Sequence, residues 1–195
     1  MSEIFFIRHA ETDMAGTFCG HSDPDLNERG HSQVCALIDR LRGEDIGAVY
    51  TSDLRRAHTT ARAISKSSAV NCIVRPALRE INFGRWEGLA WNEIEQQDDE
   101  YARRWIVEHP NLTPPGGESI LDFEQRVLNE VEFLSAQTKT YNIAIVTHAG
   151  VLRTVLCAFG GWSTKDAWKQ TKSYCSVFRY TVAALPSNQF VEVFP

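Results

Sequence analysis

The most constraining feature of the sequence is an apolar run that ends abruptly in two basic side chains. Residues 4–7 are Ile-Phe-Phe-Ile, and Arg8 and His9 follow directly. A short, fully apolar run of this kind is typical of a buried strand in a parallel sheet. In open α/β sheets, ligands bind just beyond the carboxyl ends of the strands. We therefore predict that Arg8 and His9 lie at a ligand-binding edge.

The same pattern occurs near the other end of the chain. Residues 143–147 form a second apolar run, His148 follows it, and a glycine at 150 leads into an apolar helical pattern over 151–156. Each strand is followed by a histidine at a strand-to-helix turn, which indicates one shared site. We expect His9 and His148 to lie close together.

A third segment adds positive charge to this prediction. A short strand over 48–52 precedes a helix whose first turns contain Arg55 and Arg56, and Ser52 or Asp53 is the expected N-cap. Arginines at a helix N-terminus oppose the helix dipole, so a bound anion is the expected compensation. Arginine binds phosphate oxygens through its planar fork of donors.

Histidine chemistry fits the same edge. Neutral imidazole is a nucleophile that is available near pH 7. A fixed positive neighbour such as Arg8 is expected to lower the pKa of His9 and to keep it neutral.

Four segments resemble the histidine phosphatases, which are also called phosphoglycerate mutase-like proteins. The matching segments are 7–12, 52–61, 78–88 and 147–150. They occur in the family's order and on the expected elements, which makes the resemblance specific. One departure is Ala10, which stands where the family usually has glycine. A positive φ there would strain an alanine.

The resemblance implies roles for five residues. His9 matches the nucleophile that becomes phosphohistidine, and Glu80 matches the proton donor to the leaving oxygen. Arg8, Arg56 and His148 match the residues that hold the transferring phosphoryl group. Phosphoryl transfer needs positioning and positive charge more than covalent chemistry. These side chains supply both without a metal or another cofactor.

Further candidates lie near the matching segments. Glu87 is a rival to Glu80 as the proton donor, and motif position favours Glu80. Thr12 and Thr17 are candidate hydroxyl donors to phosphate. His21 lies in a turn-rich segment that resembles the family's pocket mouth, and it is a candidate substrate neighbour.

Alternating apolar patterns predict the fold class. Helical periodicity covers 33–42 and 91–108, a near capping box at Ser119 starts another helix, and late strands are expected over 177–183 and 190–194. This alternation predicts a three-layer α/β/α sandwich with a mostly parallel central sheet. The resemblance implies the phosphoglycerate mutase-like version of that fold.

Length and segment breaks predict the domain organisation. At 195 residues with 43% hydrophobic side chains, we expect one domain over 1–195. A Pro-Gly break at 114–117 ends an excursion from the sheet over 81–117, which we expect to cover the site.

Charge and cysteine usage restrict the partners. With 20 Lys and Arg against 25 Asp and Glu, the net charge is −5, so no basic footprint for nucleic acid is expected. No apolar run reaches the length of a membrane span. The histidines show no metal-ligand spacing, so no metal is expected. Five scattered cysteines predict reduced thiols and a cytoplasmic location. The expected partner is a small-molecule phosphomonoester, and the oligomeric state stays open.

The leading hypothesis is a metal-independent phosphomonoester hydrolase that works through phosphohistidine. Segments 83–88, 115–119 and 173–177 resemble the α-ribazole-5′-phosphate phosphatases of cobalamin synthesis, which makes α-ribazole 5′-phosphate the candidate substrate. Three alternatives stay open: a broad-specificity or sugar phosphatase, a phosphoglycerate mutase, and a non-catalytic phosphate-binding protein. Mutases that resemble this family are generally longer, and a non-catalytic relative would be expected to lack the nucleophile.

Overall fold

One mixed sheet forms the centre of the molecule. A computed structural model describes residues 2–108, 111–138, 140–182 and 190–194, the last range as backbone only. Its strands are β1 (Glu3–Arg8), β2 (Ile46–Thr51), β3 (Asn71–Val74), β4 (Asn142–Thr147), β5 (Val177–Thr181) and β6 (Phe190–Phe194). They are ordered β3-β2-β4-β1-β5-β6. The first four strands are mutually parallel, and β5 and β6 are antiparallel to their neighbours.

Helices cover both faces of the sheet. They are α1 (Glu28–Arg40), α2 (Arg55–Ser68), α3 (Trp91–Gln97), α4 (Asp99–Glu108), α5 (Ile120–Gln137), α6 (Ala149–Gly160) and α7 (Thr164–Gln170). Short 3₁₀ turns occur at Pro76–Leu78 and Gly84–Trp86. Helices α1 and α2 pack on one face of the sheet, and α5, α6 and α7 lie on the other. The predicted three-layer sandwich with a mostly parallel sheet is confirmed.

Strand β1 shows why the apolar runs are continuous. Ile4 and Phe6 pack with the core of α5 and α6, whereas Phe5 and Ile7 pack with the core of α1 and α2. Successive side chains of a strand point to opposite faces of the sheet. Since both faces are covered by helices, both sets of side chains must be apolar.

The helix boundaries differ from the sequence expectations at two places. The pattern over 91–108 is two helices rather than one, because Asp98 ends α3 and its carboxylate accepts the Tyr101 N–H at 3.0 Å in the first turn of α4. Helix α1 starts earlier than its apolar stripe, since Asn27 caps it by accepting the Gly30 N–H at 2.8 Å. The expected cap at Ser119 is confirmed, with the Asp122 N–H as donor.

The late strands also match their prediction. Strand β5 lies at Val177–Thr181, and Ala183, the end of the predicted range, lies outside the described residues. Strand β6 lies at the predicted 190–194 and forms one edge of the sheet.

The excursion over 81–117 has its own small apolar cluster. Trp86, Ile94 and Ala102 form its buried centre. Phe18, from the loop after β1, joins the cluster and stacks edge-on against Phe83, with ring centroids 4.8 Å apart. Residues 109 and 110 of the excursion lie outside the described residues. The excursion is therefore attached to the loop that follows His9.

Candidate active site

Sheet register brings the two histidines together. Strands β1 and β4 are neighbours, and Arg8 pairs with Thr147, so the next residue of each strand leaves the sheet at the same level. The ring centroids of His9 and His148 lie 5.1 Å apart. Both side chains are buried. The two strand ends that the sequence predicted to share a site do meet.

The His9 ring is fixed in one orientation. Its Nδ1 lies 2.7 Å from the Ala10 carbonyl oxygen. A carbonyl only accepts, so we assign the proton to Nδ1, and Nε2 of the neutral ring carries the lone pair. Burial, followed by the charges of Arg56 and Arg8, places the pKa of His9 well below its usual value. The neutral ring is the form that can attack phosphorus.

Ala10 fits its position without strain. It is absent from the described residues with positive φ, and its side chain is fully buried in the core beneath α1 and α2. Its N–H donates to Thr60 Oγ1 at 3.2 Å. The glycine usual in the family is not required for this backbone.

Arg56 is held by the loop that follows the nucleophile. Its side chain is 1% exposed, and its guanidinium donates to the carbonyl oxygens of Gly20 at 2.6 Å and Ser22 at 2.7 Å. The neighbouring Arg55 is largely exposed and pairs with Asp25 at 2.6 Å. The sequence therefore selected the buried arginine of the pair.

Arg8 is fixed from the opposite side. Its guanidinium donates to the carbonyl oxygens of Thr171, at 3.0 Å, and Lys172. It also lies over the ring of Tyr174, 4.0 Å from the centroid. The Tyr174 ring centroid is 5.7 Å from that of His9, so Tyr174 forms a wall beside both residues.

Helix α2 is capped differently from the expectation. Its N-cap is Leu54, which has no capping side chain, and Asp23 of the 20–25 loop accepts the Arg55 N–H at 2.6 Å instead. The prediction of Ser52 or Asp53 as the cap was wrong because both side chains have other partners. Ser52 Oγ lies 2.7 Å from His148 Nε2, and Asp53 pairs with Arg79.

Three buried nitrogens at this edge lack a hydrogen-bond partner in the described part of the chain. They are Arg8 Nε, Arg56 Nε and His148 Nδ1. With the Ser52 hydroxyl donating to His148 Nε2, we assign the proton of the neutral ring to Nδ1. Burial and the charge of Arg56 hold the pKa of His148 well below its usual value. Buried donors without partners are costly unless a ligand accepts from them, and two fixed cations favour an anion.

Glu80 lies beside this cluster. One carboxylate oxygen accepts the Gly150 N–H at 3.0 Å, and the other accepts the Ile81 N–H at 3.0 Å. Gly150 is two residues after His148, and a Cβ there would come within 2.1 Å of the Glu80 carboxylate. A glycine at 150 therefore lets the carboxylate approach the start of α6.

Glu87, the rival carboxylate, is occupied by the loop that holds Arg56. It accepts the His21 N–H at 2.7 Å, the Ser22 hydroxyl at 2.9 Å and the Phe83 N–H at 3.3 Å. Its partners are thus the backbone and side chains that shape the loop.

Comparison with known proteins identifies the family. The sequence profile of the histidine phosphatase superfamily (branch 1) matches residues 4–184. The chain belongs to this superfamily. It is 35% identical over 160 residues to the metal-independent phosphoserine phosphatase of Arabidopsis thaliana, covering 80% of this chain and 67% of that protein. It is 32% identical over 167 residues to the adenosylcobalamin/alpha-ribazole phosphatase of Salmonella typhimurium, covering 85% and 83%.

The fold comparison gives the same family. The crystal structure of the alpha-ribazole phosphatase from Shigella flexneri superposes with a TM-score of 0.82 at 29% identity, covering 92% of this chain and 90% of that chain. Family and relatives together show that this histidine phosphatase is an enzyme of the phosphatase class.

Three predicted substrate neighbours have partners inside the protein. The Thr12 hydroxyl accepts the Met14 N–H at 3.3 Å, and the Thr17 hydroxyl donates to the Met14 carbonyl at 2.9 Å, so both shape their own turn. His21 Nε2 donates to the Glu80 carbonyl at 3.0 Å. His21 therefore contacts the backbone of the candidate acid.

Two side chains near the site of this histidine phosphatase were not predicted from the sequence. Arg153 lies one turn after Gly150 on α6, stacks on Trp168 at 3.6 Å and donates to Thr171 Oγ1 at 3.1 Å. Arg126, on α5, donates to the Glu80 carbonyl at 2.9 Å. The i+5 spacing of Arg153 from His148 was a usable signal, since it places the arginine near the same helix start. Arg126 had no comparable local signal, because the carbonyl oxygens that it binds lie 46 or more residues away along the chain.

Neither a metal site nor a membrane-spanning helix occurs among the described residues. No group of three or more His, Cys, Asp or Glu side chains is arranged to hold a metal ion there. Within the same residues, every helix is too short or too polar to cross a membrane.

Proposed function

We propose that the chain is a metal-independent phosphomonoester hydrolase that works through a phosphohistidine on His9. The Nε2 lone pair of His9 attacks phosphorus while the P–O ester bond breaks, and Glu80 donates a proton to the leaving alkoxide. Glu80 then takes a proton from water as the water oxygen attacks phosphorus. The P–N bond breaks, inorganic phosphate is released, and neutral His9 is regenerated.

The observation that carries this proposal is the environment of His9. Its ring is held in one orientation by the Ala10 carbonyl and lies in a buried cluster of cations and donors that have no described partner. The charges of Arg56 and Arg8 act on His9, and the His148 ring lies 5.1 Å from the His9 ring. Arg8, Arg56 and His148 each have one buried nitrogen without a described partner. Donors that are fixed before the reaction stabilise charge on the phosphoryl oxygens without reorganisation. These side chains supply the charge stabilisation that the transfer requires.

The geometry supports Glu80 over Glu87 as the proton donor. The Glu80 carboxylate binds the backbone of Gly150, beside His148, whereas Glu87 is occupied by three donors from the loop and the excursion. A general acid must reach the leaving oxygen, which lies on the side of phosphorus opposite the nucleophile. Glu87 is better suited to holding the loop that binds Arg56.

Attachment of the excursion supports its proposed covering role. Its Phe83 packs against Phe18, and its Glu87 binds residues 21 and 22, so it is tied to the loop at the edge of the site. Segments that cover a site in this way commonly select the substrate.

α-Ribazole 5′-phosphate is the first candidate substrate. Three segments of the sequence resemble the phosphatases of that compound, and the relatives in Salmonella and Shigella carry that name. The phosphate in this substrate is esterified to a neutral nucleoside, so its recognition would depend on aromatic surface such as the Tyr174 ring.

Phosphoserine is the second candidate, and Arg153 favours it. Burial lowers the pKa of Arg153 to about 10, so the group is still a cation at neutral pH. Its two Nη atoms make no hydrogen bond to the described part of the chain. The charge of Glu80 raises its pKa and that of Arg8 lowers it, so the cation lies near both the proposed proton donor and an arginine of the phosphoryl side. A leaving group with its own carboxylate would pair with this cation.

Labelling tests the intermediate. Wild-type protein, mixed with a ³²P-labelled ester and quenched, should carry acid-labile label, and His9→Asn should carry none. Release of inorganic phosphate distinguishes hydrolysis from a mutase, which would return an isomeric ester. Label retained in His9→Asn, or no label and no release in wild type, would overturn the proposal.

Arg153→Met tests the substrate choice. We expect it to lower kcat/KM for phosphoserine about tenfold and to leave α-ribazole phosphate within about twofold, since a lost charge pair costs roughly 1–2 kcal/mol. Preference of the wild type for one of these esters over glycerol phosphate would assign the substrate. Equal rates on all three would favour a broad-specificity phosphatase.

A further inference from the structure

The segment that carries Glu80 has little regular structure of its own. After the 3₁₀ turn at Pro76–Leu78, residues 79–83 run as irregular chain to the turn at Gly84–Trp86. Buried carbonyl oxygens in such a segment need donors from elsewhere in the molecule. The position of Glu80 therefore depends on side chains that supply those donors.

Every carbonyl oxygen from residue 77 to residue 80 accepts from a distant side chain. Thr147, at the end of β4, donates to Leu78 at 2.8 Å. Arg126, on α5, donates to Ala77, Arg79 and Glu80, each at 2.9 Å. One arginine thus supplies three of the four carbonyls.

Arg126 uses all five of its N–H groups in this arrangement. Besides the three carbonyls, its Nε and Nη2 bind the two carboxylate oxygens of Glu118 at 2.6 and 2.8 Å. Glu118 in turn accepts the Asn82 N–H at 3.3 Å, and its own N–H donates to the Asn82 carbonyl at 2.9 Å. The Arg126–Glu118 pair therefore holds the chain on both sides of Glu80.

We infer that Arg126, oriented by Glu118, is a positioning residue that holds the Glu80 carboxylate at the leaving-group oxygen. The inference rests on the proposed role of Glu80 as the proton donor. Lysine cannot replace Arg126, because an ammonium has three donors and lacks the planar fork that reaches five acceptors. The backbone acceptors of Arg126 all lie within residues 77–80. Its positive charge also acts on His148, and Arg126→Lys keeps that charge, so the substitution tests the hydrogen bonds that hold the Glu80 segment.

Leaving-group dependence separates positioning from general support of the fold. An alkyl phosphate needs a proton on its leaving oxygen, whereas p-nitrophenolate leaves without one. We expect Arg126→Lys to lower kcat on an alkyl phosphate by about 10- to 100-fold and on p-nitrophenyl phosphate by less than about threefold. In a Glu80→Gln background, Arg126→Lys should cause no further loss on either ester. Glu118→Gln should show the same pattern with a smaller loss.

Arg75→Lys is the matched control. Arg75 makes the same two-pronged contact with Glu130 of α5, at 2.6 and 3.0 Å, but gives no hydrogen bond to residues 77–80. Arg75→Lys is expected to lower kcat only slightly and by the same factor on the two esters. Equal losses on both esters in Arg126→Lys, or a further loss in the Glu80→Gln background, would overturn the inference.

Amide exchange provides a readout that does not require activity. The Ile81 and Gly150 N–H groups donate to the Glu80 carboxylate, so Arg126→Lys should accelerate their hydrogen exchange by about tenfold, while Arg75→Lys should not. Unchanged protection would overturn the positioning role even if the enzyme released phosphate. Faster exchange together with no leaving-group dependence in Glu80→Gln would retain the positioning contact and reject Glu80 as the acid.

Discussion

The two sides of the site are built in different ways. On the phosphoryl side, His9 and His148 follow directly from the ends of neighbouring strands, and Arg56 lies in the first turn of α2. On the leaving-group side, Glu80 lies on irregular chain whose carbonyls are bound by Arg126 and Thr147. Regular structure therefore places the groups that we propose to hold phosphate, and side-chain hydrogen bonds place the proposed proton donor. The loss of activity caused by a substitution should therefore depend on the leaving group for one side of the site and not for the other.

The largest effect is expected on the phosphoryl side. Arg56→Lys should lower kcat/KM by about 10²- to 10³-fold on alkyl and aryl phosphates alike, since loss of a preorganised donor affects both transition states. Steady-state kinetics on the two esters measure the effect. Arg55→Lys, next in the chain but largely exposed, is the control and should change either rate by less than about twofold. A loss confined to the alkyl ester would contradict the division between the two sides.

A smaller and selective effect is expected from Glu80, the proposed proton donor. Glu80→Gln should lower kcat on an alkyl phosphate about 10²-fold and on p-nitrophenyl phosphate less than about fivefold. Glu87→Gln should affect both esters equally, because Glu87 acts on the loop that binds Arg56. If the selectivity appeared in Glu87→Gln instead, the two carboxylates would have to exchange roles.

Particular residues show how far the sequence could predict this molecule. The runs before His9 and His148 predicted two buried strands with a common edge, because side chains that are covered on both faces must be apolar and the carboxyl ends of parallel strands coincide. Arg56 was selected over Arg55 by motif position, and burial agrees with it. The three-layer class followed from the alternation of strand and helix patterns.

Other contacts could not be predicted, because they join segments far apart in the chain. Asp23 replaced Ser52 and Asp53 as the partner of the first turn of α2, which freed Ser52 for His148 and Asp53 for Arg79. Local capping rules consider only nearby residues. Arg126 looks like an ordinary helix-surface arginine in the sequence, and only the tertiary fold gives it five acceptors.

Acid should lower the free energy of unfolding through the two histidines of the phosphoryl side. His9 and His148 are buried with pKa values well below 6.5, so the folded state excludes protons that the unfolded state binds. The contribution of the two neutral histidines to the free energy of unfolding is therefore fully present above about pH 6.5. It is lost as pH falls below this value, by up to about 1.4 kcal/mol per pH unit for each histidine. Urea unfolding from pH 7.5 to 5.5 measures this slope. His9→Asn should remove the contribution of one histidine, up to about 1.4 kcal/mol per pH unit, from this slope.

The smallest predicted effect concerns the orientation of the second histidine. Ser52→Ala removes the buried contact to His148 Nε2 at 2.7 Å, which should cost about 1 kcal/mol, or about fivefold in kcat/KM, equally on both esters. Ser65→Ala removes a comparable serine contact, to the Val70 carbonyl at 2.6 Å, from the far end of α2. It should lower the free energy of unfolding by a similar amount and leave the kinetics unchanged. If both variants changed stability alone, Ser52 would serve only the fold. A kinetic loss confined to Ser52→Ala would show that the phosphoryl side, despite its regular scaffold, also needs one side-chain contact to fix its donor.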